Sequence, residues 1–304
     1  MSGRWGSVLA RHGIRPGRRL GQHFLFDGGI LDRIAAASGA GPGDVVLEVG
    51  PGVGSLTRAL LARGAAVFAV ERDRTLGPAL VDALSDMDAA AGEAAPAWPS
   101  AAAGDAVLDI GGRVRVLWGD AVRLPWDQLA DGPERWRICS NLPYYLTGPF
   151  LAEWLVGQIP WEVAVLLVQA ESAARMTARP GTPAYGAFTC LVQYHAEVER
   201  LFSVPRGAFV PPPDVESAVV RLRPRSEPPT SAPRAALFQV VRAAFGQRRK
   251  NLLNALSAGL PCARADILAA LTRCGLPPER RGETLSLEEF GALTQVLLTV
   301  GLPG

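Results

Sequence analysis

Short apolar runs alternate with helical stretches between residues 41 and 145, and this alternation restricts the fold more than any other feature of the chain. Strands that alternate with helices form a parallel sheet with helices on both faces. The sequence therefore predicts an α/β fold built on a doubly wound, Rossmann-like sheet. The predicted strands lie at 45–49, 65–70, 114–117, 137–140 and 163–168, followed by two later ones at 191–202 and 217–222.

The pattern changes near residue 224, where strand-like runs end and helical periodicity begins. The predicted parts are a first domain at 1–223 with a basic N-terminal arm and an Ala- and Gly-rich surface insertion at about 85–112, a proline-rich linker at 224–234, and a helical domain at 235–304. Ser286 and Glu289 have the spacing of a capping box at the start of the last helix. The second domain is therefore predicted to be small and all-helical.

Basic residues are unevenly placed, although the net charge is only +2. The first 26 residues hold five arginines and no acid, which is typical of either a cleaved transit peptide or a retained basic arm. We interpret the segment as a retained arm, because a motif described below begins at Gly21. A second cluster consists of Arg248, Arg249 and Lys250. Attraction to phosphates acts over about 8 to 10 Å, so such local clusters are candidates for nucleic-acid contacts.

The four cysteines are far apart and include no C-x-x-C pair. We interpret Cys139, Cys190, Cys262 and Cys274 as buried thiols in a reducing cytosol, and not as a disulfide or zinc framework. The longest apolar runs are much too short to cross a bilayer. The sequence therefore predicts a cytoplasmic protein with no metal site and no membrane span.

A glycine-rich turn follows the first predicted strand, with Gly50, Gly52 and Gly54 in a G-x-G-x-G spacing before a helix that begins near Ser55. Glycines allow a nucleotide-bearing ligand to approach the turn and the helix start closely. A dinucleotide fingerprint would have its third glycine at position 55. The serine at this position disfavours NAD.

Acidic residues end the next two predicted strands. Glu71 follows Gly50 by 21 residues, about where a carboxylate accepts hydrogen bonds from ribose hydroxyls. Asp120 ends the third strand, where it could accept from an adenine amino group. Either residue alone could be a helix cap. Together with the glycine turn, at the carboxyl edge of one sheet, they predict an adenosine-binding site for S-adenosylmethionine.

The fourth strand leads into Asn141, Leu142, Pro143 and Tyr144. An adenine amine is a poor nucleophile because its lone pair is delocalised into the ring, so an enzyme must hold it towards the methyl donor. The Asn141 side-chain oxygen and the Leu142 carbonyl could accept its two hydrogens, and Pro143 stiffens the turn. Tyr144 offers an aromatic face on which an extruded base can stack. We interpret these four residues as the catalytic turn.

These motifs resemble those of the ribosomal RNA adenine N6-dimethyltransferases, most closely the bacterial members that act on the small subunit. The resemblance covers nearly the whole chain apart from the insertion. It is carried by Gly21-Gln22-His23-Phe24-Leu25, EVGPGVGSLT at 48–57, Glu71, Asp120, NLPYYLTGP at 141–149, Phe209-x-Pro211-x-Pro213-x-Val215-x-Ser217, Arg248-Arg249-Lys250-x-Leu252 and the terminal LSLEEF.

The resemblance implies a cofactor pocket and an RNA-binding helical domain. The implied cofactor residues are His23, Leu25, Gly50, Gly52, Glu71, Asp120 and Asn141, and the implied RNA contacts are Arg248, Arg249 and Lys250. The implied reaction is methyl transfer from S-adenosylmethionine to the N6 amines of adenines, two adjacent ones near the 3′ end of small-subunit rRNA. Its expected setting is an assembling 30S particle, with a monomeric enzyme. Three positions depart from the family: His23 stands in place of the commoner Asn, Ala170 in place of Lys, and Ala187 in place of Arg or Lys.

Two kinds of alternative remain open. One is a related enzyme on another substrate, either the large-subunit rRNA methyltransferase of the macrolide-resistance type or a DNA N6-adenine methyltransferase, although DNA enzymes usually have proline where Leu142 stands. The other is a ribosome-assembly or transcription factor on the same fold that has lost methylation. The retained cofactor and catalytic motifs favour activity.

Overall fold

The structure is a computed structural model that describes residues 4–15, 23–87, 96–100, 107–124, 126–157, 159–247 and 249–303. The chain divides into two compact units. The first consists of Met1–Ala173 and Glu199–Pro224, and the second of Ala174–Val198 and Arg225–Gly304. The boundary after Pro224 lies one residue from the sequence-based one. The structure differs in assigning 174–198 to the second unit.

The elements up to residue 224 are mostly strands with short helices between them. The strands are β1 (Phe24–Leu25), β2 (Val45–Val49), β3 (Ala66–Glu71), β4 (Val107–Ile110), β5 (Val114–Trp118), β6 (Trp136–Asn141), β7 (Trp161–Gln169), β8 (Ala196–Val204), β9 (Phe209–Val210) and β10 (Ser217–Pro224). The helices are α1 (Arg4–Arg11), α2 (Gly28–Ala37), α3 (Ser55–Leu61), α4 (Gly77–Leu84), α5 (Trp126–Leu129), α6 (Thr147–Trp154), α7 (Ala170–Met176) and α8 (Ala187–His195).

Eight of these strands form one sheet in the order β4-β5-β3-β2-β6-β7-β10-β8. The five strands from β5 to β7 in this order are parallel to their neighbours. β4 is antiparallel to β5, and β10 is antiparallel to β7. The predicted doubly wound α/β fold is therefore confirmed, with antiparallel additions at both sides.

The central strands β2 and β3 are apolar apart from Glu48 and Glu71, because both faces of the sheet are covered. All residues of β2 and β3 are buried. On one side, Ile34 of α2, Leu60 of α3 and Leu80 of α4 share a core with Val67 and Val165 of the sheet. Each such side chain contributes about 1.5 to 3 kcal/mol on burial. This core keeps the strand ends, and the loops that follow them, in fixed positions.

One predicted strand is partly wrong. The run 191–202 was expected to be extended, but residues up to His195 belong to α8 and only those from Ala196 onwards form β8. Gly186 caps this helix, since its N–H donates to Thr189 Oγ1 at 3.1 Å. Cys190 and Val192 are buried on one side of the helix. A short apolar run has no period that separates a buried helix from a strand, which explains the error.

The predicted insertion at 85–112 also contains a strand that the sequence did not indicate. β4 pairs with β5 in an antiparallel hairpin, from Ile110 opposite Val114 to Val107 opposite Leu117. Gly111 and Gly112 make its turn, with φ of 59° and 70°. Residues 88–95 and 101–106 of the insertion lie outside the described part of the chain.

The helix α1 accounts for part of the predicted basic arm. Val8 and Leu9 are buried in an apolar cluster with Phe24 and Leu76. The guanidinium of Arg4 pairs with Asp86 at 2.5 Å, and that of Arg11 pairs with Asp82 at 3.0 Å, both at the α4 side. Two of the arm's arginines are therefore paired with carboxylates of the protein itself, and residues 16–22 lie outside the described ranges.

The second unit contains the helices α9 (Arg234–Gly246), α10 (Leu252–Gly259), α11 (Arg264–Arg273) and α12 (Leu287–Leu298). The predicted capping box is confirmed, because Ser286 Oγ accepts from Glu289 N at 3.2 Å and Glu289 Oε2 accepts from Ser286 N at 2.9 Å. The predicted linker is not free of contacts, since Arg225 N donates to His195 O at 3.0 Å and Ala232 is buried. Within the described residues, no helix has the length and apolar character to span a membrane.

Candidate active site

The carboxyl ends of β2, β3 and β6 open onto one cavity of about 560 Å³. The glycine-rich turn follows β2, while β3 ends at Glu71 and β6 ends at Asn141. Loops at this edge of a doubly wound sheet form the usual ligand crevice. Three of the motifs singled out in the sequence therefore meet around one cavity.

The glycine turn presents open backbone to this cavity. Gly50 and Gly52 have φ of 70° and 59°, in the region that side chains rarely adopt. A Cβ at Gly52 would lie 3.0 Å from the Phe24 ring, and one at Gly50 would lie 3.3 Å from Pro143. Glycine is thus required both by the backbone conformation and by the closeness of the cavity walls. A side chain at either position would therefore be both strained and crowded.

Glu71 ties this turn to the end of β3. Its Oε2 accepts a hydrogen bond from Gly52 N at 3.1 Å, and its Oε1 accepts one from Asp73 N at 2.8 Å. Burial raises the pKa of the carboxyl above its ordinary value, against the effect of these two bonds. A carboxylate has about four acceptor positions. Glu71 can therefore hold the turn and still accept from hydroxyls of a bound ligand.

Glu48, in β2 two residues before Gly50, lines the same cavity and is only 1% exposed. Thr57 Oγ1 donates a hydrogen bond to its Oε2 at 2.7 Å. Burial raises the pKa of Glu48 to about 8, and the nearby Glu71 adds to this effect while the Thr57 bond opposes it. The carboxyl is mostly protonated at neutral pH, a feature that no pattern in the sequence indicated.

Asp120 lies at the predicted strand end, but it is not among the residues that line the cavity. Its Oδ1 accepts from Val122 N at 3.0 Å and caps a short 3-10 turn, Ala121–Arg123. The structure therefore supports the alternative interpretation of Asp120 as a helix cap. Its contact with a cofactor stays a prediction. Asp73 lines the cavity instead. Its spacing to Thr75, typical of an Asx turn after a strand, is a signal that could have identified it.

The Asn-Leu-Pro-Tyr turn borders the cavity on the β6 side. Leu142 N donates to Leu167 O at 3.1 Å, so the strand pairing continues into the turn. Leu146 N donates to Pro143 O at 2.8 Å and closes the following 3-10 turn. Asn141 Nδ2 donates to His23 O at 3.5 Å, the outer limit for such a bond. With the amide nitrogen directed this way, Oδ1 is the atom of Asn141 that can accept from a ligand.

Tyr144 is half-buried beside the cavity, and its hydroxyl lies 2.7 Å from Ser217 Oγ. The ring of His23 stacks on its ring, with centroids 5.7 Å apart and an interplanar angle of 25°. Tyr145 is 52% exposed at the cavity rim. The sequence placed Ser217 at the end of a proline-rich motif and at the start of a predicted strand, and neither pattern indicates contact with residue 144.

His23 and Leu25 both line the cavity, and their contact with a cofactor stays a prediction. β1 pairs with β9 in an antiparallel ladder, with Leu25 opposite Phe209. This pairing brings the N-terminal motif to the cavity from far away in sequence. Gly21 and Gln22 of the motif lie outside the described residues.

The basic cluster is described only in part, because Arg248 lies outside the described residues. Arg249 and Lys250 are exposed in the turn before α10. Their contact with RNA stays a prediction. Within the described parts of the chain, no group of three or more His, Cys, Asp or Glu side chains could hold a metal ion.

Comparison with known sequences gives consistent relatives. The family model described as "Ribosomal RNA adenine dimethylase" matches residues 15–90 and 106–290. The chain is 43% identical over 305 residues to the Ribosomal RNA small subunit methyltransferase A of Pelotomaculum thermopropionicum, covering 97% of this chain and 95% of the relative. It is 42% identical over 293 residues to the protein of the same name from Novosphingobium aromaticivorans, covering 95% and 96%.

Solved structures with the same fold extend over nearly the whole chain. A dimethyladenosine transferase from Plasmodium falciparum superimposes with a TM-score of 0.71 at 23% identity, covering 92% of this chain and 99% of that one. The 23S rRNA methyltransferase ErmE superimposes with a TM-score of 0.61 at 26% identity, covering 90% and 99%. The likeness to the Plasmodium falciparum structure concerns the fold alone.

Proposed function

The chain belongs to the ribosomal RNA adenine dimethylase family, and from this premise we propose that it transfers methyl groups from S-adenosylmethionine to the N6 amines of adenines in small-subunit rRNA. It is a methyltransferase and its substrate is an rRNA. The catalytic turn is 141–144, and the cofactor residues are those that surround the glycine turn.

The residues present fit S-adenosylmethionine. The glycine turn is a cradle that a Cβ at Gly50 or Gly52 would partly fill. Glu71 lies directly beside it with spare acceptor capacity for the ribose hydroxyls, and Leu25 adds an apolar wall. Asp120 stays a candidate partner for the adenine amino group. When bound, the cofactor supplies an electrophilic methyl group on a sulfonium.

The chain's own residues have to present the amine to that methyl group. Asn141 Oδ1 and the Leu142 carbonyl accept the two amine hydrogens, which directs the nitrogen lone pair. Tyr144 stacks on the extruded base. No strong base is required, since the nitrogen proton becomes acidic only as the N–CH₃ bond forms. The proposal rests mainly on one observation. The same cavity is lined by Gly50, Glu71, Asn141 and Tyr144.

Several finer features belong to the same proposal. The target is two adjacent adenines near the 3′ end of the rRNA, each dimethylated, in an assembling 30S particle. The enzyme acts as a cytoplasmic monomer, and the helical unit binds RNA through Arg248, Arg249 and Lys250. The exposed positions of Arg249 and Lys250 support this role.

A direct assay uses purified protein, S-adenosylmethionine and small subunits from cells that lack the modification. Nucleoside mass spectrometry should detect N6,N6-dimethyladenosine after incubation with the unchanged protein. The Asn141→Ala variant should lose about 100-fold or more in rate, because the amine is no longer aligned. Methylation of large-subunit rRNA instead, or of neither subunit, would contradict the proposal.

A further inference from the structure

Tyr144 is held by residues from two distant parts of the chain. Its hydroxyl is bonded to Ser217, 73 residues away, and its ring is stacked on His23. An exposed tyrosine rotates freely about its side-chain bonds, but this one is fixed at the hydroxyl end and on a ring face. A tyrosine ring that only bordered the cavity would not need to be held at both of these places.

Ser217 is fully buried at the start of β10, opposite Gln169 of β7. Its Oγ is therefore positioned by the sheet itself, at the same edge as the end of β6. Burial raises the pKa of the Tyr144 hydroxyl, so the proton stays on and the hydroxyl remains a hydrogen-bond partner. The bond of 2.7 Å sets how far the ring extends from the turn.

His23 is fixed in turn by the main chain after β9. Its Nδ1 lies 2.8 Å from the carbonyl oxygen of Pro211, and because a carbonyl only accepts, Nδ1 carries the proton and donates. This bond sets the plane of the imidazole ring. The imidazole lies against one face of Tyr144, with centroids 5.7 Å apart. This contact covers part of one face of the tyrosine ring, and Tyr144 also lines the cavity.

We infer that His23 and Ser217 are positioning residues for the methylation reaction, and that they hold Tyr144 so that the target adenine stacks on the ring face turned away from His23. The inference rests on the proposed function, since it specifies how that substrate is held. Stacking fixes the plane of the base and therefore the direction of its N6 lone pair. A shift of about 1 Å in such an arrangement can slow a reaction by about 100-fold.

This role of His23 differs from the one implied by the family resemblance, which places it with the cofactor. Its contacts in the structure are a bond to Pro211, the bond that Asn141 donates to its carbonyl, and the stack on Tyr144. Two of these contacts, with Asn141 and Tyr144, are with residues of the catalytic turn. The two roles predict different effects on cofactor affinity, which can be measured without any turnover.

The test compares Ser217→Ala, Tyr144→Phe, their double variant and His23→Ala. Calorimetry gives the Kd for S-adenosylmethionine, and methylation of unmodified small subunits gives kcat and KM.

Each of the two single hydroxyl deletions should lower kcat by about 3- to 10-fold, and the double variant should be no slower than either, because both break the same bond. His23→Ala should lower kcat by about 10-fold or more. Cofactor Kd should stay within about two-fold in all four variants.

Ser203→Ala, at an exposed serine of β8, is the matched control and should behave as the unchanged protein. A misfolded Ser217→Ala variant would show in its melting curve, and Tyr144→Phe then reports on the same bond from the other side. Wild-type kcat in Tyr144→Phe, or a multiplicative loss in the double variant, would overturn the role of Ser217. A ten-fold rise in cofactor Kd for His23→Ala would overturn the role of His23. Absence of methylation by the unchanged protein would instead contradict the proposed function.

Discussion

Among single residues, Glu71 accepts the hydrogen bond of Gly52 N, and we propose that it also binds the cofactor. Glu71→Ala should weaken S-adenosylmethionine binding by about 1 to 3 kcal/mol, because charge-assisted hydrogen bonds to the ribose are removed along with the anchor of the turn. Calorimetry on the folded variant measures the effect. Glu153→Ala, at an exposed carboxylate of α6, is the control. Wild-type affinity in Glu71→Ala would remove Glu71 from the cofactor site.

The buried carboxyl of Glu48 makes the stability of the ligand-free protein depend on pH. Its pKa is about 8 in the folded protein against an ordinary value of 4.5, so between these pH values the folded state keeps a proton that the unfolded chain releases. Stability from this group is therefore full below about pH 4.5 and is lost as pH rises towards 8.

Glu48→Gln keeps an acceptor for Thr57 but cannot ionise. Relative to the unchanged protein, the variant should gain stability between pH 5 and pH 8, on the order of 3 kcal/mol, since one pKa unit corresponds to about 1.4 kcal/mol. Urea unfolding at the two pH values measures the difference, with Glu153→Gln as the exposed control. A difference that does not change with pH would show that Glu48 is ionised in the folded state throughout.

Among the elements, α1 supports the cavity wall, because Val8 and Leu9 share a cluster with the cavity-lining Phe24 and Leu76. Leu9→Ala should lower the free energy of unfolding by about 2 to 4 kcal/mol, as buried leucines do. Ala10→Gln, on the exposed side of the helix, should change it by less than about 0.5 kcal/mol. If denaturant unfolding gave the same value for both variants, α1 would not be packed on the cavity wall.

The elements also show which parts of the fold are readable from sequence. β2 and β3 were predicted because their β-branched runs lie between clear turns. β4 was missed because it lies in an Ala- and Gly-rich stretch and is stabilised by pairing with β5, a non-local interaction. The strand prediction was wrong for the first part of the run 191–202, because an apolar segment of that length is equally compatible with a buried helix.

At the scale of the whole molecule, the site brings together segments that are far apart in the sequence. No local sequence pattern shows that these segments lie close together in space. Gly50, Glu71 and Asn141 could be placed at one edge because strand order in such sheets follows general rules. The bond between Tyr144 and Ser217 could not be predicted in this way, because it depends on the pairing of β10 with β7. Asp120 caps the turn that follows its strand, and its contact with a cofactor stays a prediction.

RNA binding is also a property of the whole molecule. Replacing Arg248, Arg249 and Lys250 together by Ala should weaken binding to an immature small subunit and flatten its salt dependence, by somewhat under one unit of slope for each phosphate that the variant no longer neutralises. Affinity for S-adenosylmethionine should not change. Arg273→Ala, at an exposed arginine of α11 outside both basic clusters, is the control. Unchanged affinity and slope in the triple variant would exclude this cluster as the RNA-binding surface.

Primer extension on rRNA from cells with and without the gene tests most directly whether this chain methylates adenine N6 in small-subunit rRNA. A dimethylated N6 has no hydrogen left for base pairing, so reverse transcriptase stops at the modified adenines. We predict stops at two adjacent adenines near the 3′ end of the small-subunit rRNA that disappear when the gene is deleted and return with the unchanged gene but not with Asn141→Ala. Identical stops with and without the gene would contradict the claim.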